Sequence, residues 1–194
     1  MSNAFTLFDP AIQRNITFRQ VSMDKDLHRL HRWMNETHVI PFWQLNMPLW
    51  QYKQHLETAL SDHHQTLYIG ELDGVPMSYW ESYWAAQDII RGFYPAGNDD
   101  QGTHLLIGNP HYIGKGYSLP LLRAMTAFQF KWKQTHKVVS EPDIHNKKMI
   151  HIFQKCGFEP IQEIELPDKK ALLMVCDRHS FYRRWQHVLG TTNL

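Results

Sequence analysis

One histidine inside an apolar run, and one carboxylate at the end of another, are the residues whose types suit proton transfer. His104 lies in Thr103–Gly108 (THLLIG), a short apolar stretch that reads as a buried strand. Asp143 ends Glu141-Pro142-Asp143, directly after the strand pattern Lys137–Ser140. An imidazole has an unperturbed pKa of ~6.5 and can exchange protons near neutral pH. Asp143 could orient that ring, hold a substrate ammonium group, or act as the base itself. Two plainer readings stand beside these: Asp143 caps the helix that begins near Asn146, and His104 is a satisfied core histidine. If the two strands are neighbours, both side chains reach one crevice at the strands' carboxyl ends.

Downstream of His104 the strand opens into Asn109–Ser118 (NPHYIGKGYS), followed by an apolar-striped helix. Glycines let the backbone turn tightly and aim consecutive N–H groups at a ligand, and a helix N-terminus adds unpaired N–H groups and the positive end of its dipole. That combination suits a pyrophosphate, with Lys115 as an added point charge. A plain turn into a helix has the same appearance. Neither the P-loop pattern GxxxxGK[ST] nor the dinucleotide pattern GxGxxG is present.

The elements that must position these groups follow from periodicity and turn chemistry. Residues 15–21 alternate as a strand, and Ser22 can cap a helix carrying Leu27, Leu30, Trp33 and Met34. Pro41-Phe42-Trp43 and Pro48 break that helix and form an aromatic loop before a second helix over residues 49–60. Asp73-Gly74 sets a hairpin between strands 66–72 and 75–84. Residues 92–102 read as a surface loop, 146–155 as a helix stopped by Gly157, 159–166 and 170–176 as strands, and 180–188 as a basic, aromatic helix. The order β-α-α-β-β-β-α-β-α-β-β-α predicts one α/β (α+β) domain over residues 15–190. Residues 1–14 are expected to be a tail, with Ser2-Asn3-Ala4 resembling a vector-derived scar.

Composition narrows the classes. Lys plus Arg number 20 against 19 Asp plus Glu, which argues against a nucleic-acid binder built on a strongly basic surface. Cys156 and Cys176 form no CxxC unit, and Cys156 reads as packed rather than reactive. Thirteen His suggest a metal, yet no HExxH or paired Cys/His spacing occurs, so none is expected. No apolar run approaches the ~20 residues of a membrane span, and a cytoplasmic location is expected.

Two segments together resemble the GNAT acyltransferase superfamily. Ile113 through Ser118 follows the signature (Gln/Arg)-x-x-Gly-x-(Gly/Ala), keeping Gly116 but with Ile113 and Ser118 as departures. Asn146 through Phe158 looks like the GNAT stretch that begins with Asn and ends in Gly-Phe. The resemblance implies a mostly antiparallel mixed sheet, with a splay between two parallel central strands and helices on both faces. It implies acetyl-CoA or another acyl-CoA as cofactor. The main chain of Leu106, Ile107 and Gly108 would hold the pantetheine arm, and the amides of Ile113, Gly114, Lys115, Gly116, Tyr117 and Ser118 the pyrophosphate. Asn146 would support the arm, and a strand N–H would stabilise an oxyanion, worth roughly 3–4 kcal/mol where measured elsewhere. Phe153 stands where many members carry a general-acid Tyr.

The flanking segments resemble the siderophore-biosynthesis branch of that superfamily. They include Leu30-His31-Arg32-Trp33-Met34-Asn35, His38-Val39-Ile40-Pro41-Phe42-Trp43, Trp80-Glu81-Ser82-Tyr83-Trp84, the Gly102–Gly108 strand and Glu141-Pro142-Asp143. In that branch the matching His and Asp form the proposed catalytic pair, here His104 and Asp143. The expected reaction is N-acylation of an N-hydroxylated lysine or diamine to a hydroxamate. Trp33, Phe42, Trp43, Trp80 and Trp84 are expected to line a slot for the alkyl chain, with Glu81 on a distant ammonium; core packing is the alternative for each Trp. Aminoglycoside N-acetylation and a non-catalytic coenzyme A-binding module are the rival readings. The partner is expected to be a small amine or hydroxylamine, and the basic C-terminal helix could pair two subunits as a homodimer or merely cover the sheet.

Overall fold

The structure, a computed structural model, describes residues 5–190. Eight strands form one sheet in the order β1-β2-β3-β4-β5-β6-β8-β7, with β1 Phe5–Asp9, β2 Arg14–Gln20, β3 Gln65–Leu72, β4 Val75–Trp84, β5 Gln101–Ile107, β6 Lys137–Ser140, β7 Glu159–Glu165 and β8 Lys170–Asp177. All neighbours are antiparallel except β5 and β6. The helices are α1 Met23–Met34, α2 Ile40–Trp43, α3 Leu49–Ser61, α4 Ser118–Gln129, α5 Lys147–Cys156 and α6 Arg178–Leu189.

Local chemistry explains most of these boundaries. Asp73 and Gly74 both adopt positive φ, the twist a two-residue hairpin needs between β3 and β4. Asn146 caps α5 by accepting from the Met149 N–H at 3.2 Å, and Gly157 ends it at φ 116°. Two elements depart from expectation. Phe5–Asp9 is an edge strand and not a tail: it pairs with β2, and buried Asp9 forms an ion pair with buried Arg123 of α4. Residues 2–4 lie outside the described residues. Ile40–Trp43 is a short helix rather than an open loop, because Pro41 sits in its first turn, where a missing N–H costs nothing.

Side-chain alternation divides the molecule. On one face Phe18, Trp80, Leu121, Phe130, Phe153 and Phe181 join the sheet to α4, α5 and α6. On the other, Leu30, Trp33, Tyr52, Leu56, Tyr79 and Leu106 pack α1 and α3. Helix α6 therefore covers the sheet through Phe181 and Tyr182. No helix among the described residues is long and apolar enough to cross a membrane.

Candidate active site

The parallel pairing of β5 with β6 is brief. Only Gln101 against Val138 and Gly102 against Val139 are in register; beyond them β5 continues to Ile107 without β6 beside it. The sheet splays there. The Gly108 N–H bonds back to Met77 O at 2.9 Å, so alternation places Leu106 in the same phase, facing β4. Thr103 O instead accepts from Ser140 Oγ at 2.9 Å across the opening. The main-chain groups along the splay thus belong to Leu105 and to the Ile107 N–H, the Ile107 carbonyl accepting from His38 Nε2 at 2.8 Å, and not to Leu106 and Gly108. Gly108 has a different role: a Cβ there would lie 2.0 Å from the Trp33 ring, so its bare backbone seats that indole.

Side chains of the opposite parity build the floor. Glu81 of β4 is registered against His104 of β5, and Tyr79 and Tyr83 lie to either side on the same face. Glu81 Oε2 is 2.8 Å from His104 Nδ1, and Glu141 Oε1 meets His104 Nε2. Tyr79 donates to Glu81 at 2.8 Å and Tyr83 to Glu141 at 2.7 Å, while Lys169 Nζ stands 3.8 Å from Glu141. Burial alone would lower the His104 pKa, but the charges and hydrogen bonds of Glu141 and Glu81 outweigh it and hold the ring at about 10. Burial would likewise raise Glu141; the imidazole and Lys169 overcome that and bring it to about 2. Burial beside Glu141 drives the Tyr83 hydroxyl well above its ordinary value.

These groups open into a cavity of about 260 Å³. Phe42 and Trp43 of α2, with Leu45, form its apolar wall. Asp143, Asn146, Met149 and Phe153 close it from the β6–α5 side, and Asp168 and Lys169 from the turn between β7 and β8. His104 and Asp143 therefore share one cavity as expected, but they do not bond each other. Asp143 Oδ1 accepts from the His145 N–H at 2.7 Å and lies 2.9 Å from the His145 ring, an Asx turn leading into α5. Asn146, not Asp143, is the helix cap.

Three expected slot residues fall elsewhere. Trp80 and Trp84 do share a face, but it is the face opposite Glu81, because residues 80 and 84 have the other strand parity. Trp80 is fully buried against Phe18, and Trp84 packs edge-on to Trp132. Trp33 is buried in the α1–α3 core. The contact that the sequence does not show is that of Glu141 with His104: within Glu-Pro-Asp only the glutamate reaches the ring.

The loop after β5 has the predicted form. Gly114 and Gly116 take φ of 72° and 81°, and an added Cβ on either would meet nothing within 4 Å, so conformation rather than space demands glycine. The turn runs into the N-terminus of α4, where Ser118 and Leu119 present N–H groups without intrahelical partners and Pro120 has none to lose. Lys115 and Ile113 are exposed. The loop does not line the cavity itself; it lies at the far end of the splay strand. An extended thioester with a terminal pyrophosphate fits that layout, its arm along β5 and its phosphates on the turn. Among the described residues no His/Cys/Asp/Glu group could hold a metal.

Comparison with known proteins agrees with this geometry. The profile of the acetyltransferase (GNAT) domain matches residues 22–166. An N-hydroxyputrescine acetyltransferase of Acinetobacter baumannii is 35% identical over 92% of this chain and 86% of its own. An N(6)-hydroxylysine O-acetyltransferase of Escherichia coli is 33% identical over 90% of this chain, which spans 56% of that protein's length. The crystal structure of an uncharacterized protein from Bacillus halodurans superposes with a TM-score of 0.92 at 53% identity, covering 94% of each chain. That of the aminoglycoside acetyltransferase AAC(6')-Ib in complex with coenzyme A superposes with a TM-score of 0.79 at 29% identity, over 87% of this chain and 98% of that one. With a sheet that opens in the expected place and a family profile spanning most of its length, the chain belongs to the GNAT acetyltransferases.

Proposed function

We propose that this enzyme transfers an acetyl group from acetyl-CoA to the hydroxylamine nitrogen of a small N-hydroxylated diamine or lysine, giving a hydroxamate for siderophore assembly. The observation that carries the reading is the cavity at the splay, where His104 and Asp143 face one space walled by Phe42 and Trp43. The named activities of the Acinetobacter and Escherichia relatives support the acceptor class. When bound, acetyl-CoA supplies an activated acyl carbon and a thiol leaving group. The chain's own residues do the rest. Leu105 and the Ile107 N–H offer main-chain groups to the arm, the turn at Gly114–Ser118 offers amides to the phosphates, and α2 excludes water from one side. A hydroxylamine is less basic than an alkylamine, so more of it is neutral at pH 7, and modest base assistance suffices. That eases the presence of Phe153 where many relatives place a tyrosine acid.

The test is release of free thiol from acetyl-CoA with N-hydroxyputrescine, N-hydroxylysine and N-hydroxy-diaminopropane, with kanamycin as the competing acceptor. Turnover of at least one hydroxylamine in preference to kanamycin is expected. Turnover of kanamycin alone would transfer the assignment to aminoglycosides, and silence with all four would remove catalysis on this acceptor class.

A further inference from the structure

A neutral imidazole carries one donor and one acceptor nitrogen. His104 has a carboxylate at each: Glu81 at Nδ1 and Glu141 at Nε2. Two ionised carboxylates cannot both be served by a neutral ring, since one nitrogen lone pair would face an oxygen lone pair. A proton must therefore sit on the ring or on one of the acids. The surroundings favour the ring. Each carboxylate's second oxygen already accepts a phenol, from Tyr79 for Glu81 and from Tyr83 for Glu141, and the Lys169 ammonium stands close to Glu141. These donors stabilise the ionised acids. The remaining groups around the cavity are Asp143 after β6, His55 of α3 and Asp168 of the β7–β8 turn, with the Trp43 indole of α2 edge-on to the ring at 6.5 Å.

We propose that Glu141, together with Glu81, is a positioning residue that keeps His104 as an imidazolium, so that His104 enters the reaction as a fixed cation and not as the proton acceptor. The role of acceptor then falls to Asp143, which is half-buried directly after β6, whereas Asp168, the other carboxylate of the cavity without a Lys or Arg partner among the described residues, is exposed on its turn. With both ring nitrogens protonated and held by Glu141 and Glu81, His104 neutralises part of their charge beside the reacting atoms and cannot itself take up the nucleophile's proton. This catalytic meaning rests on the acyl-transfer reading; the protonation state does not.

The experiment is a long-range ¹H–¹⁵N titration of the histidine rings in the full chain without ligands, between roughly pH 5 and 11, with His104→Gln used to assign the signal. Both ring nitrogens of His104 should remain protonated through neutral pH. Glu141→Gln should lower the midpoint by about one unit or more. A merely structural Glu141 would lower the melting temperature and leave the midpoint where it was, which would overturn the proposal. So would a wild-type His104 that titrates near 6.5, and that measurement alone decides if the variant does not fold. Thiol release run alongside separates the two readings. Turnover with a His104 that titrates normally removes only the fixed-cation role, whereas a protonated His104 with no turnover of any hydroxylamine removes only the acyl-transfer reading.

Discussion

At the scale of single residues, the central point is that the acids around His104 matter as much as the ring. His104→Gln should lower kcat by about 10²–10³-fold, because it leaves Glu81 and Glu141 as uncompensated charges beside the reacting atoms, with a smaller change in KM for the acceptor. Asp143→Asn should cost about 10²-fold or more through loss of the base, read in the same thiol-release assay. The cluster also sets a pH signature for stability. The His104 pKa is raised from 6.5 to about 10, so its contribution is complete below 6.5 and lost as pH rises through 10. The Glu141 pKa is lowered from 4.5 to about 2, so its contribution is complete above 4.5 and lost as pH falls through 2. Melting curves of wild type minus His104→Gln should show a difference that is largest between those limits and shrinks toward pH 10. Trp80 belongs to a different category. It is fully buried, and Trp80→Ala should cost about 3–5 kcal/mol in urea denaturation; Trp80→Phe should leave the acceptor KM nearly unchanged.

At the scale of elements, what was legible in the sequence was whatever local chemistry decides. The Asp73-Gly74 turn, the Gly157 stop and the glycine turn before α4 each dictate their own conformation, and each stands within a residue or two of its predicted place. Less legible was anything set by pairing between distant segments. Strand β1 is short, and although Asp9-Pro10 marks the turn after it, its structure comes from pairing with β2 and from Arg123. The slot residues were misassigned for a related reason: strand alternation correctly puts Trp80 and Trp84 together, but only the partner strands reveal which helices cover that side. The Glu141–His104 contact was not legible because nothing in a Glu-Pro-Asp triplet shows which acid turns inward. Glycine tests this division. Gly108→Ala should expel the Trp33 ring and destabilise the fold markedly, since the new Cβ would overlap it. Gly116→Ala meets no neighbour, so it should cost only about 1–2 kcal/mol of backbone strain while weakening acetyl-CoA binding measured by calorimetry.

At the scale of the whole molecule, one buried ion pair joins β1 to α4, the helix that follows the Gly114–Gly116 turn. Arg123 holds Asp9 on one side and stacks over Trp185 of α6 on the other, 4.5 Å from the ring centre. Asp9→Asn should therefore destabilise the entire domain by about 3–5 kcal/mol, the usual cost of orphaning a buried charge, and should do so without altering the pH behaviour of His104. The splay between β5 and β6 has a consequence of its own. A sheet interrupted in mid-span lacks rungs that a backbone normally supplies, and on the proposed acyl-transfer reading an incoming thioester arm would provide them. On that reading the donor would act as a ninth strand. Amide deuterium uptake at Leu105 and Ile107 should slow when coenzyme A is added, more than uptake in β2 or β3, because saturation with ligand is the step that completes the sheet.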